Sequence, residues 1–207
     1  MIPATLSVVL QTARTYLNDD NGTTWTDQIL IPKAQESFRE LQNKLWVAGA
    51  QIVRGQNAVA RHIVAGAVPT VYTQFDMQSP IAMYEAAWPT ALPWIPMTEI
   101  NYFPADFVPG ITITYWSWQE EVLYVAPCNV DRSVILNYRL IMPVPTVAGS
   151  SLTVPFAELY MGARTAAIAA GSVGNAEVFA AMSAKAKENL GKVITANRGQ
   201  SKPSLRP

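Results

Sequence analysis

The sequence predicts an α+β protein: a four-helix bundle from the N- and C-terminal segments, an inserted antiparallel β domain, and an extended C-terminal tail. Apolar residues recur at helical spacing near both ends of the chain, whereas the middle contains short strand-like runs. Helices bury an apolar stripe only by packing together, so the two ends are expected to meet. We therefore predict a discontinuous helical domain at 1–52 and 153–196, a β insertion at 53–152 and a tail at 197–207.

Two helices are predicted before the β insertion. The first follows the apolar stripe within residues 6–17. The second begins after Thr26, a possible N-cap, and Glu40 and Lys44 are spaced to form an ion pair on its surface. Pro32 lies inside this second helix, so we expect a kink or a restart there.

Six short runs in the middle of the chain have the alternation or the β-branched and aromatic residues that are typical of strands. They are Val59–Val64, Thr70–Phe75, Ile81–Glu85, Ile111–Trp116, Val122–Val125 and Val134–Leu140. The segment Trp88–Pro96 contains three prolines and is expected to be a stiff aromatic loop, because proline cannot donate a hydrogen bond within a sheet.

Two further helices are predicted after the insertion. Phe156 and Leu159 are expected on the inward stripe of the third helix, where Gly162 and several alanines allow a neighbouring helix to approach closely. Asn175 is placed to cap the fourth helix, and Phe179 is expected on its inward stripe.

Residues that carry chemistry are few. The chain has one histidine, His62, and one cysteine, Cys128, so a zinc site would need carboxylates as its other ligands. The run Asp19–Gly22 lacks the spaced ligands of a calcium loop, and Glu120 and Glu121 are expected in a solvated hairpin. Phosphate-binding glycine loops and the serine-hydrolase motif do not occur. We therefore predict no enzymatic activity, no metal and no cofactor.

The charge content, the cysteine count and the lack of targeting segments indicate which partners and which compartment to expect. Only 14% of the residues are charged and the net charge is zero, which favours a subunit that hides surface in an assembly over a nucleic-acid or lipid binder. The lone cysteine makes a reducing compartment the simpler expectation. Because neither a signal peptide nor a membrane-spanning apolar run is read, we expect synthesis in a cytoplasm and no membrane partner.

Two groups of residues are candidates for binding. Trp88, Trp94, Trp116 and Trp118 fit either a carbohydrate platform or an ordinary aromatic core. The cations of the last segment can contact phosphates, or the segment can be an ordinary frayed terminus. The prolines between those cations favour an extended segment that lies in a groove of a partner.

Short motifs along nearly the whole chain resemble one family. They are Trp25–Asp27 with the following helix to Gly49, Pro80–Glu85, Met97–Glu99, Tyr115–Trp118, Leu123–Pro127, Asp131–Tyr138, and an alanine-rich helix pair that ends in a Gln, Pro and Arg tail. In this arrangement the chain resembles the head-to-tail adaptor (connector or neck) proteins of tailed bacteriophages, which lie directly beneath the portal.

The resemblance implies a structural protein of the virion, located at the head-tail interface. It implies a dodecameric homo-oligomer ring around a channel through which DNA passes without sequence-specific binding. The tryptophans would then contact neighbouring subunits or tail or nozzle proteins. The portal-binding residues it implies are Lys192, Arg198, Gln200, Lys202, Pro203, Arg206 and Pro207. Members of the family often have consecutive arginines in this segment, whereas the cations here are spaced.

Three other interpretations stay open from the sequence. One is a tail-completion or tail-tube-associated protein of the same class of virus. Another is a glycan-binding β module carried on helices, which requires exposed rows of aromatic side chains. The last is a hydrolase with an unrecognised pair of carboxylates.

Overall fold

The computed structural model describes residues 4–56, 60–66, 68–74, 76–89, 93–104 and 107–198. Within these ranges the chain is α+β, with four α-helices and nine strands. It divides into two compact units. Among the described residues, unit 1 contains 4–53 and 142–198, and unit 2 contains those of 54–141.

Unit 1 contains the helices. They are α1 (Leu6–Tyr16), α2 (Asp27–Val47), α3 (Glu158–Ser172) and α4 (Ala176–Asn197), with a short 3-10 helix at Gln51–Val53. α2 continues through Pro32 without the predicted restart. Glu40 binds Lys44 at 2.6 Å, as predicted, and its other carboxylate oxygen accepts a hydrogen bond from Arg164 of α3 at 2.6 Å. This second pair ties α2 to α3.

The prediction of a four-helix bundle is wrong. In such a bundle each helix contributes one stripe to a shared core. Here α3 is central and is buried on most of its sides, because α1, α2 and α4 each pack against it. Among the described residues, α4 buries only a narrow seam, formed by Ala186, Asn189, Val193 and Asn197. An apolar stripe shows that a helix packs, but it does not show which helices share a core.

The start of α3 also differs from the prediction. Phe156 precedes the helix and is exposed, and Leu159 is exposed in its first turn, so neither lies on the inward stripe. Phe179 of α4 is partly exposed as well. The prediction for Gly162 is confirmed, because a Cβ there would lie 2.5 Å from Cγ2 of Thr12 on α1.

The stretch that follows unit 2 is bonded to the start of α1. The backbone N–H groups of Leu6 and Ser7 donate to the carbonyls of Ser150 and Ala148 at 2.8 and 2.7 Å. The first N–H groups of a helix have no partner within it, so these bonds satisfy two of them. They explain why residues 142–152, which we had expected in the β insertion, group with the helices.

Unit 2 contains two sheets, which are formed by the nine described strands. The strands are β1 (Arg54–Gln56), β2 (Arg61–Ile63), β3 (Thr70–Tyr72), β4 (Met77–Ala87), β5 (Ile95–Pro96), β6 (Thr98–Glu99), β7 (Tyr115–Gln119), β8 (Val122–Val125) and β9 (Arg132–Leu140). One sheet has the order β1-β9-β4-β5, with β2 also paired to β9, and the other has the order β3-β8-β7-β6. The β6–β7 pair is parallel, which departs from the purely antiparallel insertion that we predicted.

The core of unit 2 lies on the inner faces of these strands. Val134, Leu136 and Tyr138 of β9 are buried on one face, as their alternation predicts. The run that begins at Ile111 differs from the prediction, because β7 starts only at Tyr115 and Ile111 is exposed.

Candidate protein-docking surface

Several apolar β-branched side chains on loops of unit 2 are exposed to solvent and lie one or two residues from Gly66, Gly110 or Cys128. We call four of them, Val64, Val108, Ile111 and Val130, the apolar edge. Val108 is 81% exposed and Ile111 is 70% exposed. Scattered exposed apolar residues are normal on a protein surface, but a contiguous group is typical of an interaction site.

Backbone pairing brings the loops of the apolar edge side by side. Cys128 forms an antiparallel bridge with Gly66 and a parallel bridge with Gly110, so three segments of chain are neighbours at this point. The N–H of Gly66 donates to the carbonyl of Cys128 at 2.8 Å, and the N–H of Asn129 donates to that of Gly110 at 2.8 Å. The Asn129 side-chain amide also donates to the carbonyl of Pro109 at 2.8 Å. These bonds hold the loops in one arrangement.

His62, Trp88 and Asp131 form a cluster that supports the apolar edge. The imidazole of His62 stacks on the indole of Trp88, with ring centroids 4.2 Å apart and planes 15° from parallel. Nε2 of His62 lies 2.9 Å from Oδ2 of Asp131, and Oδ1 of Asp131 accepts the backbone N–H of Ala65 at 2.9 Å. Asp131 therefore joins β2 and the loop after it to the segment that carries Val130.

The environment of Asp131 favours its ionised form. The hydrogen bond from the backbone N–H of Ala65, followed by that from His62, lowers the pKa of the Asp131 carboxyl. The carboxylate is solvent-exposed, so its main effect is to fix loop geometry.

A buried ion pair lies next to this cluster in sequence. Nε of Arg132, on β9, donates to Oε2 of Glu85, on β4, at 2.6 Å. Glu85 is only 1% exposed. Since a buried carboxylate needs its partner, this pair links the side chains of β4 and β9 at the residue after Asp131.

The four tryptophans that are candidates for binding a partner differ in their exposure to solvent. Trp88 is 45% exposed and takes part in the stack with His62, while Trp94 is half-buried. Trp118 packs at the margin of the unit 2 core. Trp116 is 2% exposed and belongs to that core, so its side chain does not reach a partner while the unit is folded.

Most of the predicted portal-binding residues cannot be placed. Gln200, Lys202, Pro203, Arg206 and Pro207 lie outside the described residues. Lys192 is exposed on α4, where Nζ lies 2.9 Å from Oε1 of Glu188. Arg198 is exposed directly after α4 in an extended conformation.

The described residues hold little reactive chemistry. Among them, no group of three or more His, Cys, Asp or Glu side chains lies close enough together to hold a metal ion. Cys128 is buried, and burial raises the pKa of its thiol, which makes it a poor nucleophile. Within the same ranges, no helix has the length and apolar content needed to cross a bilayer.

Sequence reasoning missed the apolar edge. The sequence pattern predicts Val64 and Ile111 in strands, and Val108 and Val130 lie in segments without a recognisable motif. Only the backbone bridges at Cys128 show that the segments carrying these residues are neighbours. The proline-rich context of Val108 was the one available signal, because Pro104 and Pro109 make an ordinary buried strand improbable there.

Comparison with known proteins gave no match: neither a protein-family model nor a curated protein matches the chain.

Proposed function

We propose that this chain is a head-to-tail adaptor of a tailed bacteriophage, a virion protein that forms a ring beneath the portal and docks on it through its C-terminal segment. The order of sequence motifs supports the family. The apolar edge supports a role in assembly, because it offers a surface that a subunit can bury against another protein.

The apolar edge is the observation that carries the proposal. Its loops are fixed by hydrogen bonds from Gly66, Asn129 and Ala65, so little conformational entropy is lost when a partner covers it. In a closed ring each subunit uses two different patches, one for each neighbour. We assign the apolar edge to one of these contacts.

A glycan-binding module has less support. Such a module needs a row of exposed aromatic side chains on which sugar rings can stack. Trp116 is buried, and Trp88 already has His62 on one face at 4.2 Å. The buried Cys128 and the hydrogen-bonded Asp131 likewise give no support to a hydrolase.

Native mass spectrometry of the purified full chain, alone and mixed with the portal protein of the same virus, tests the proposal. We expect a single chain or small oligomers alone and a closed ring of adaptor on the portal. Binding to a purified tail without binding to the portal would instead favour the tail-completion interpretation. No higher mass with either component would contradict assembly altogether.

A matched pair of variants tests the assignment of the apolar edge. Val108→Ser removes an 81% exposed side chain of the edge, and Val47→Ser removes an 86% exposed side chain at the end of α2. Both variants should fold. We expect Val108→Ser to lower the yield of complete rings and Val47→Ser to leave it unchanged, and equal yields would overturn the assignment.

A further inference from the structure

Phe156 is a large apolar side chain held outward in an unfavourable backbone conformation. Its φ is 61°, in the left-handed region that bulky residues avoid, and the residue is 51% exposed. Its neighbours Val154 and Ala157 are buried, so they anchor the turn without help from the ring of Phe156. Neither the core nor the backbone conformation explains an aromatic residue here, and such outliers point to function.

The turn that carries Phe156 is bonded to the end of α4. Nδ2 of Asn197, in the last residue of that helix, donates to the carbonyl of Pro155 at 3.1 Å and to the carbonyl of Val193 at 2.9 Å. Asn197 is largely buried. The end of α4 is therefore fixed beside the turn that carries Phe156.

Leu159 is a second exposed apolar side chain, three residues after Phe156. It lies in the first turn of α3 and is 48% exposed. We call Phe156, Leu159 and Arg198 the exit surface, since the remaining nine residues of the chain follow Arg198. The surface combines two apolar side chains with an exposed cation.

We propose that the exit surface is a second part of the portal-binding site, in which Phe156 inserts into an apolar cavity of the portal that is flanked by acidic groups. This rests on the proposed function. The segment after Arg198 is the one expected to bind the portal, and it carries Lys202 and Arg206 but only one large apolar residue, Leu205. Because Asn197 is bonded to Pro155, a partner that contacts Arg198 as well as that segment lies next to the turn that carries Phe156. Desolvated aromatic anchors of this kind carry much of the energy of protein interfaces.

Portal affinity of the full chain, of the full-length variant Phe156→Gly and of a control variant tests this inference. Phe156→Gly removes the ring and accepts the positive φ without strain, so the variant should fold at least as readily as the parent protein. Val47→Ala, which shortens an exposed apolar side chain at the end of α2, is the control.

We expect Phe156→Gly to bind the portal about tenfold or more weakly, as for an interface hot spot, with an unchanged melting transition. The control should bind like the parent protein. If the parent binds the portal and Phe156→Gly binds equally well, the inference is wrong while the proposed function stands. If the parent does not bind the portal at all, the proposed function fails first. A loss of self-association with portal affinity retained would also overturn the inference.

Discussion

The stability of unit 2 is expected to depend on the pairing of the buried Glu85 carboxylate with Arg132. Its carboxylate is buried between β4 and β9 and is paired with Arg132. We predict that Arg132→Met lowers the free energy of unfolding by about 3–5 kcal/mol, because the charge of Glu85 is then buried without a partner. Urea unfolding followed by tryptophan fluorescence measures this change.

The double variant supplies the control for that prediction. Glu85→Met with Arg132→Met removes both charges, so most of the lost stability should return. Lys192→Met, which breaks the exposed pair with Glu188, should change stability by less than about 1 kcal/mol. If the double variant is as unstable as Arg132→Met, packing rather than charge explains the loss.

The Asp131 carboxyl leads to a prediction about the stability of the fold at low pH. Because the N–H of Ala65 and then His62 lower its pKa in the folded protein, the carboxylate stabilises the fold above the ordinary pKa of 3.8. That stabilisation is lost as the pH falls below 3.8 toward the lower folded pKa. We expect unfolding in urea at pH 7 and near pH 3 to differ less for Asp131→Asn than for the parent protein. The same pH dependence in both would contradict this role.

At the scale of elements, the contact between α1 and α3 depends on the absence of a side chain at Gly162. A Cβ there would lie 2.5 Å from Cγ2 of Thr12 and 2.7 Å from its Cβ, so the helices must separate to accept it. We predict that Gly162→Ala destabilises unit 1 by about 1–3 kcal/mol. Thermal or urea unfolding gives the value.

Gly191 on α4 provides a control, because alanine at this position is expected to change stability in the opposite direction. A Cβ there meets nothing within 4 Å. Alanine is a better helix former than glycine, so Gly191→Ala should stabilise the protein by about 0.5–1 kcal/mol. If the two substitutions change stability in the same direction, the close approach of α1 and α3 is not as described.

The unequal burial of α3 and α4 predicts unequal protection from hydrogen exchange. α3 is covered by three helices, whereas the described part of α4 buries one seam. Amide protons in the middle of α3 should therefore exchange only through larger opening reactions than those of α4. Hydrogen exchange measured by mass spectrometry on peptides from each helix tests this, and equal protection would argue for an α4 packed on more than one side.

The sequence allowed the helices to be found but not their arrangement. The 3.6-residue period located α1 and α2, and the Asn175 cap, which accepts the Val178 N–H at 3.1 Å, marked the start of α4. Periodicity identifies a packed face without naming the element that covers it. The central position of α3 follows from many small residues on several sides, and we had treated these as a single stripe.

The candidate surfaces were harder to predict, because they depend on contacts between distant segments. The segments that carry the apolar edge are neighbours because Cys128 forms bridges with Gly66 and Gly110. The exit surface depends on the positive φ of Phe156 and on the bond from Asn197 to Pro155. Neither a backbone outlier at phenylalanine nor a long-range side-chain bond has a local sequence signature. The alternation predicted from Ile111 onward was wrong: β7 begins four residues later, at Tyr115, and Trp116 is buried whereas Ile111 is exposed.

For the whole molecule, the proposal joins two surfaces with separate tasks. The apolar edge belongs to unit 2 and is assigned to the contact between subunits of a ring. The exit surface belongs to unit 1 and is assigned, with the C-terminal segment, to the portal. Substitutions on one surface should therefore leave the other function intact, and Val108→Ser and Phe156→Gly are the variants that separate them.

Electron cryomicroscopy of mature particles tests the central claim most directly. The account predicts a ring of this chain immediately below the portal, with the ring of Phe156 and the residues after Arg198 in contact with portal subunits. Particles whose neck density is fully explained by other proteins, with this chain absent or located elsewhere in the virion, would contradict it.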